Sequence, residues 1–527
     1  MTRPPARPAL TGLRPLDLAP LPPVLATPPG DVADVVARAR AAFPAWAALP
    51  LEDREARLDA AARRMVARRG EVVALLAAEV GKGHAEALFG EALAPLDQLR
   101  QWRPIVRAHL RRRRIALPRL AFPGKRAFVD VVPRGVIAVI TPWNYPLATF
   151  LRPVLPALLT GNAVVLKPSE HAPRTALWFA ESLASFLPDG LVGLVLGGAD
   201  HGRAVVGSDV DAVCFTGSVA AGRDVARRCG ERLVPASLEL GGKDAAIVLA
   251  DCDLDRTLAG ITTWALHNAG QDCGAIERVY VEEAIADAFV GRLADAWRRL
   301  RVADRLGEGD VAPLATEAQL AVVTRHVDDA RRRGAVVRCG GVRVGAGLGY
   351  APTVLDRCTD EMDVVREETF GPVVAIRRVA HADEAVERAN ASAYGLGASV
   401  WTRDLARGRA IAERLRCGVL HVNNHALSGA VVALPWTGTG ASGGGIANGP
   451  HALATFTRPR SLLVDAAAAP DPFWMPYDGD LVDLGERVGR LQTGDLGAAL
   501  RLPALAARRR RTLREFFAPR PTDGSSL

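Results

Sequence analysis

The sequence predicts an α/β protein with a doubly wound, Rossmann-like domain followed by a second α/β domain. Short apolar runs rich in β-branched residues, such as 136–140, alternate with helical stretches, which is typical of a parallel sheet covered by helices. The same alternation resumes after Lys243 and indicates the second domain. A chain of 527 residues is also longer than a single core normally supports.

The first 132 residues precede the main alternation. Nine prolines within residues 1–30 predict a disordered tail. Residues 31–114 are rich in Ala, Leu and Arg, with apolar residues at three- and four-residue spacing, which predicts helices. A strand is predicted at 129–132, inside the segment 115–132.

Strands and helices then alternate through the two α/β domains, residues 133–244 and 245–435. The predicted strands of the first domain are 136–140, 163–166, 192–196 and 212–215, with helices reaching 159, over 174–186 and after Gly217. The predicted strands of the second domain are 245–249, 278–281, 373–376 and 397–401, with helices over 285–300 and 317–333.

Composition excludes several classes of protein. The net charge is +8, and arginines cluster at 111–114 and 508–511. No aromatic residues interleave with the first cluster, so we interpret it as a solvated face and predict no nucleic-acid partner. No apolar run of about 20 residues exists, so no membrane span is predicted. Seven widely spaced cysteines show neither zinc-ligand nor disulfide spacing, which indicates a reducing, cytoplasmic compartment, no metal site and a free thiol.

Four segments carry the chemistry. Cys273 follows Asn-Ala-Gly-Gln-Asp, and Glu239 lies in Leu-Glu-Leu-Gly-Gly-Lys at 238–243. A thiolate can attack a carbonyl, and a carboxylate can activate the water that later hydrolyses the adduct. The other two segments are Thr-Pro-Trp-Asn-Tyr-Pro at 141–146 and Glu-Glu-Thr-Phe-Gly-Pro at 367–372. In this order the four resemble the signature of the NAD(P)-dependent aldehyde dehydrogenase superfamily, and the resemblance runs over about residues 33–460.

The resemblance implies a reaction in two halves. Cys273 attacks the aldehyde to give a thiohemiacetal oxyanion, which the Asn144 side chain and the Cys273 backbone N–H stabilise. Hydride then passes to the nicotinamide, and Glu239 activates the water that hydrolyses the thioester. Lys167 is also a candidate catalytic residue. A carboxylate at 239 favours release of a free acid over transfer to coenzyme A.

The turn at 215–222 suits a pyrophosphate, because a strand ends, a glycine gives access to the backbone and a helix begins. By resemblance Lys167 and Glu170 meet the adenosine ribose. A carboxylate at 170 repels a 2′-phosphate, so NAD is predicted, while Lys167 leaves NADP open. The other cofactor contacts that the resemblance implies are Thr141, Pro142, Trp143, Gly217, Ser218, Glu239, Leu240, Gly241, Glu368 and Phe370.

Substrate preference is predicted from the residues around the nucleophile. Trp143, Tyr145, Leu147 and the loop near Trp436 indicate an aromatic pocket for medium or bulky apolar aldehydes. Asp272 is expected to raise the pKa of the neighbouring thiol and, if it points inward, to disfavour anionic substrates such as succinate semialdehyde.

Other hypotheses stay open beside this one. The first is a semialdehyde dehydrogenase of the same fold, for example one that acts on succinate semialdehyde. The second is a catalytically silent family member that acts as a binding protein, against which the intact signature speaks. The third is a thioester hydrolase without redox chemistry. His267 suggests a Cys–His hydrolase, but a lone histidine there is more often structural.

The resemblance also assigns the remaining segments. The relatives are dimers or tetramers, so a homo-oligomer is predicted, with the segment 115–132 as its β-hairpin arm. Residues 436–465 are expected to form the substrate-entrance loop and to return to the cofactor and oligomerisation region. Residues 466–527 form a C-terminal extension that the resemblance does not explain.

Overall fold

A computed structural model describes residues 8–118 and 122–519 and divides the chain into two compact units. Unit 1 comprises residues 1–110 and 132–458, and unit 2 comprises residues 111–131 and 459–527. Among the described residues, no helix combines the length and the apolar character that crossing a bilayer requires.

The strands of the described residues are β1 Ala9–Leu10, β2 Val24–Leu25, β3 Arg113–Ile115, β4 Lys125–Pro133, β5 Val136–Ile140, β6 Ala163–Lys167, β7 Val192–Leu194, β8 Ala212–Thr216, β9 Ala236–Glu239, β10 Asp244–Val248, β11 Ile276–Glu282, β12 Val336–Cys339, β13 Arg343–Val344, β14 Gly349–Tyr350, β15 Thr353–Asp356, β16 Val373–Val379, β17 Tyr394–Gly395, β18 Gly397–Trp401, β19 Val419–Val422, β20 Thr439–Gly440 and β21 Thr457–Asp465.

The α-helices of the same residues are α1 Val32–Ala48, α2 Leu51–Ala67, α3 Arg69–Val80, α4 His84–Ala87, α5 Ala94–His109, α6 Pro146–Leu159, α7 Pro173–Ala184, α8 Ala199–Gly207, α9 Val219–Glu231, α10 Leu254–Leu266, α11 Glu283–Arg298, α12 Glu317–Arg332, α13 Asp363–Arg366, α14 Ala382–Asn390, α15 Leu405–Ala412, α16 Gly479–Gln492 and α17 Leu502–Phe516.

The first large sheet of unit 1 has five parallel strands in the order β7-β6-β5-β8-β9. Strands β5 and β6 are buried along their whole length, as expected for a sheet that helices cover on both faces. In the register, Ile140 pairs with Lys167, and Thr216 pairs with Glu239. Because carboxyl ends of parallel strands meet at one edge, Lys167 and Glu239 belong to the same edge of this sheet.

The second large sheet has seven strands in the order β12-β15-β16-β11-β10-β18-β19. All neighbours are parallel except β12 and β15, which are antiparallel. Apolar side chains of β10, β11 and β16 pack with helices α10, α11 and α12 in one buried cluster. The predicted α/β fold with doubly wound sheets is therefore confirmed.

The proline-rich segment near the N-terminus is more ordered than the sequence predicts. Its described part, residues 8–30, forms the antiparallel pair β1–β2. The Thr27 N–H donates to the Leu196 carbonyl at 2.9 Å, and the Leu348 N–H donates to the Pro15 carbonyl at 2.8 Å. The prediction of a disordered tail is wrong for these residues, because their backbone groups find partners; residues 1–7 lie outside the described residues.

Unit 2 contains a three-stranded sheet in the order β21-β4-β3, followed by α16 and α17. Strands β3 and β4 pair antiparallel, which gives the segment 115–132 a hairpin geometry, although residues 119–121 lie outside the described part. The buried Arg509 of α17 donates to the carbonyls of Trp474 and Pro476 at 2.7 and 2.8 Å. The C-terminal extension is thus folded up to residue 519.

Candidate active site

A cavity of about 820 Å³ in unit 1 brings together residues from all four signature segments. Its signature residues lie at the end of strand β9, in loops that follow strands β5 and β9 of the first sheet and in loops that precede strands β11 and β16 of the second. Its signature residues are Pro142, Trp143, Asn144, Tyr145, Glu239, Leu240, Gly241, Asp272, Cys273, Glu368 and Phe370. The sequence therefore predicted correctly which distant segments meet, although the role of each residue stays a prediction.

Cys273 lies in the loop between a strained turn and β11. Asn268 and Ala269 in that turn have φ angles of 54° and 56°, a conformation that non-glycine residues seldom adopt and that clusters at functional sites. Burial raises the pKa of the Cys273 thiol well above its usual value, and the neighbouring Asp272 raises it further, whereas Arg152 acts in the opposite direction. The thiol is consequently held neutral when no substrate is present.

Asn144 lies against the backbone of the loop that carries Cys273. Its side-chain amide donates to the Gln271 carbonyl at 3.0 Å, two residues before Cys273. The backbone carbonyl of Asn144 accepts from Asn268 Nδ2 and from Lys82 Nζ, both at 2.8 Å. The side-chain amide is therefore bound to the loop that carries Cys273, and the contacts of the backbone carbonyl hold Asn144 in place.

Glu239 ends β9 and faces the same cavity as Cys273. Burial raises the pKa of its carboxyl to about 7, and Arg152 only partly opposes this. Among the described residues, its Oε1 atom is buried without a hydrogen-bond partner. A carboxyl with such a pKa changes between acid and base near neutral pH, which suits a residue that takes a proton from water.

Glu368 reaches the loop that follows Glu239. Its Oε1 accepts from the Gly242 N–H at 2.9 Å, and burial followed by the charge of Glu277 raises its pKa to about 8. A β-carbon on Gly241 would collide with this carboxyl group, which explains the glycine there. The Phe370 ring meets Trp143 edge to face at a centroid distance of 5.6 Å.

A second cavity of about 590 Å³ shares Pro142, Trp143 and the turn 215–218 with the first. Ser218 caps α9 by accepting from the Ala221 N–H at 3.3 Å, and the other N–H groups of the first helical turn have no partner within the helix. An anion is favoured at such a helix start. The two connected cavities and this turn fit a dinucleotide whose pyrophosphate lies near Gly217 and Ser218.

Lys167 and Glu170 line the second cavity, with Lys167 Nζ 3.5 Å from Glu170 Oε2. Burial lowers the pKa of Lys167, and the nearby Glu170 opposes that shift. The Thr141 N–H donates to the Lys167 carbonyl at 3.2 Å, which ties the ends of β5 and β6 together. Lys167 thus lines the second cavity and not the cavity of Cys273, and its catalytic role stays a prediction.

Arg152 is the main residue of the cavity that the sequence analysis did not identify. It lies on α6, its guanidinium carbon is 5.6 Å from the Trp436 ring centroid, and its Nη2 donates to the Gly429 carbonyl at 3.2 Å. Helical spacing could have identified Arg152 from the sequence. One face of the helix lines the cavity at three- and four-residue steps, through Tyr145, Ala148, Thr149 and Arg152.

The geometry defines a class of protein: a cysteine and two buried carboxyls line a cavity that shares residues with a groove suited to a dinucleotide, as in an oxidoreductase that acts on a carbonyl group. The model of the aldehyde dehydrogenase family matches residues 13–462. The chain therefore belongs to the aldehyde dehydrogenase family.

Curated relatives and solved structures agree with this assignment. A protein of Mycobacterium bovis named putative succinate-semialdehyde dehydrogenase [NADP(+)] 2 is 39% identical over 458 residues, covering 85% of this chain and 88% of the relative. A 4,4'-diapolycopene aldehyde oxidase of Methylomonas is 35% identical, covering 85% of this chain and 84% of the relative. A Mycobacterium tuberculosis aldehyde dehydrogenase solved with NAD+ has a TM-score of 0.83 at 31% identity, covering 89% and 97% of the two chains.

These findings confirm the predicted family, the enzyme class and the use of a nicotinamide dinucleotide. When bound, such a dinucleotide accepts a hydride from the substrate. The chain is thus an aldehyde dehydrogenase.

Proposed function

We propose that Cys273 is the nucleophile of this aldehyde dehydrogenase and Glu239 the base that releases a free carboxylic acid. One observation supports this most strongly: Cys273, Glu239, Asn144 and Glu368 come from four distant segments and line one cavity that continues into the dinucleotide groove. Asn144 donates a side-chain N–H to the oxyanion of the thiohemiacetal, and the backbone N–H of Cys273 is the second donor.

The second half of the reaction uses the raised pKa of Glu239. Its carboxylate accepts a proton from water, and the resulting hydroxide attacks the thioester on Cys273, so that the C–S bond breaks and the acid leaves. Glu368 holds the nicotinamide ribose, and Gly241 allows the backbone to approach it.

An assay of NADH or NADPH formation with a panel of aldehydes tests these roles. We expect Cys273→Ala to abolish turnover. The control is Cys417→Ala, which changes a cysteine outside the cavity and should retain turnover. Cofactor turnover that persists in Cys273→Ala would assign the nucleophile elsewhere.

For the substrate, we propose a medium or bulky apolar aldehyde. The cavity is lined by the apolar side chains of Trp143, Trp264, Trp436, Leu93 and Phe456, which suit an apolar substrate. Phe89 also lines the cavity. Because this side chain is 76% exposed, the solvent-facing end of the cavity is apolar.

Arg152 favours a second class of substrate, an aldehyde with a distal carboxylate. Of the described residues that line the cavity, it is the one arginine or lysine. The Mycobacterium relatives are named for succinate semialdehyde and NADP(+), in line with this second class. Asp272 opposes it less than the sequence suggests, because its carboxylate accepts from Tyr145 and from the Gly274 N–H at 2.9 and 3.0 Å. Comparing kcat/KM for hexanal and succinate semialdehyde decides between the two classes.

We further propose that the enzyme is a cytoplasmic homo-oligomer that uses NAD. The sheet β21-β4-β3 supports oligomerisation, since β21 lies at the edge of the sheet, is nine residues long and is exposed beyond its first residue. Light scattering of the purified chain tests the oligomeric state, and a monomer at micromolar concentration would contradict it.

A further inference from the structure

Two polar residues beside the nucleophile have no part in the mechanism above, namely Asp272 and His267. The hydroxyl of Tyr145 joins them: it donates to Asp272 Oδ2 at 2.9 Å and lies 2.6 Å from His267 Nδ1. The Tyr145 and His267 rings also stack, with an interplanar angle of 11° and centroids 5.9 Å apart. All three side chains line the cavity that contains Cys273.

The chain of contacts begins at the thiol itself. Cys273 Sγ lies 3.7 Å from Asp272 Oδ1, within the range of a hydrogen bond from sulfur. The Gly274 N–H donates to the same oxygen at 3.0 Å and fixes the carboxylate. A continuous path of hydrogen-bonding atoms thus runs from the thiol to the imidazole of His267.

Charged groups from neighbouring elements surround this path. Lys82 Nζ lies 3.7 Å from the Tyr145 ring centroid and pairs with the buried Glu91. Glu86 accepts from the Asn268 N–H at 2.8 Å, next to His267.

On the thiol side, Arg152 favours the charged form of Cys273, whereas Asp272, Glu239 and Glu368 disfavour it. A thiolate at rest is therefore costly, and its proton must leave as the carbonyl is attacked.

We propose that Asp272, Tyr145 and His267 form a proton relay that removes the proton of the Cys273 thiol during attack on the aldehyde. This inference rests on the proposed role of Cys273 as nucleophile. It leaves Glu239 free for the water of the second half-reaction, so each half has its own proton acceptor.

The transfer balances without any further reactant. The S–H bond breaks as sulfur bonds to the carbonyl carbon, and Asp272 Oδ1 takes the proton. Protonation makes Oδ1 a poorer acceptor for the Gly274 N–H, and this releases the carboxyl group to rotate and turn the protonated oxygen towards Tyr145. Tyr145 turns its hydroxyl proton from Asp272 to His267 Nδ1, which accepts it in the tautomer that carries its hydrogen on Nε2. Tyr145 receives the proton of Asp272 in exchange, which leaves a neutral tyrosine and an imidazolium at the cavity wall.

The pre-steady-state burst of NADH tests the relay, because it reports attack and hydride transfer before hydrolysis. We expect Asp272→Asn, Tyr145→Phe and His267→Gln each to slow the burst about 100-fold, the usual contribution of a general base. Phenylalanine keeps the ring beneath Lys82, and asparagine keeps the acceptor for the Gly274 N–H. The matched control is His451→Gln, which changes an exposed histidine outside the cavity and should retain the wild-type burst.

The pH dependence of Cys273 alkylation by iodoacetamide separates a relay from a structural effect. Removing the charge of Asp272 should lower the alkylation midpoint, so Asp272→Asn should make the thiol more reactive at pH 7 and yet slow the burst. A purely electrostatic role would accelerate both.

A wild-type burst in Asp272→Asn, or in both Tyr145→Phe and His267→Gln, would overturn the relay while leaving the proposed function intact. NADH formation by Cys273→Ala would instead refute the role of Cys273. Should one variant fail to fold, as judged by thermal unfolding and NAD binding, the other two carry the test.

Discussion

Replacing Glu239 with glutamine should abolish turnover and at the same time stabilise the protein in a pH-dependent way. Glutamine has the shape of the protonated carboxyl but cannot take a proton from water. Burial raises the pKa of this carboxyl from 4.5 to about 7, so the folded state resists its ionisation. The group is therefore useful for hydrolysis of the thioester and costly for folding.

The size of the effect follows from the pKa difference. Because the folded-state pKa lies above the unfolded value, stability is lost as pH rises from about 4.5 to about 7, and the loss is complete above that. One pKa unit corresponds to about 1.4 kcal/mol, so ionised Glu239 costs about 3 kcal/mol at pH 8 and less than about 1 kcal/mol at pH 5. For a chain of this length that equals a rise in Tm of about 3 °C.

Thermal unfolding of wild type and Glu239→Gln at pH 5 and pH 8 measures this difference, with Glu231→Gln on the exposed end of α9 as the control. We expect the variant to gain about 3 kcal/mol at pH 8 and less than about 1 kcal/mol at pH 5, and the control to gain none at either pH. The NADH burst of Glu239→Gln should persist while steady-state turnover disappears. A variant that is less stable at pH 8, or equally shifted at both pH values, would refute the reasoning.

The remaining predictions concern single contacts in the two cavities. Asn144→Ala should lower kcat about 100- to 1000-fold through loss of an oxyanion donor, with NAD binding unchanged in a fluorescence titration. Arg152→Gln should reduce kcat/KM for succinate semialdehyde about ten- to a hundredfold and spare hexanal; equal losses for both would exclude contact with a substrate carboxylate. Glu170→Gln should lower the preference for NAD over NADP in kcat/KM, whereas an unchanged ratio would place the 2′ position away from residue 170. The hydrolysis rate of wild type should rise with pH through about 7 as Glu239 ionises, and this limb should be absent in Glu239→Gln.

The parallel strands were predictable because each is a short apolar run with no competing pattern. The run 136–140, for example, coincides with β5. Strand β9 was missed, since Ala236–Glu239 is only partly buried and carries polar residues that resemble a loop. That strand holds Glu239, so the carboxylate was identified by resemblance while its support in the sheet was not.

Contacts between distant segments set the limit of prediction for the site. Nothing local to residues 86–91 indicates that Glu91 accepts from the N–H of Leu147 at 2.7 Å at the start of α6. The prolines near the N-terminus predicted disorder, because the backbone partners of Thr27 and Pro15 lie at residues 196 and 348. Local composition cannot predict a hydrogen bond whose donor and acceptor lie far apart in the sequence.

The charges of the cavity suppress the thiolate of Cys273, the proposed nucleophile, while no substrate is bound. Asp272, Glu239 and Glu368 all disfavour a thiolate on Cys273, and Arg152 is the counteracting charge. A neutral thiol is less prone to alkylation and oxidation than a thiolate. An arriving aldehyde changes this balance, because the negative charge then moves from sulfur to an oxyanion beside Asn144. The carboxylates that disfavour a thiolate on Cys273 therefore oppose the transition state of attack less strongly. The rate of attack then depends on which group accepts the proton of the Cys273 thiol.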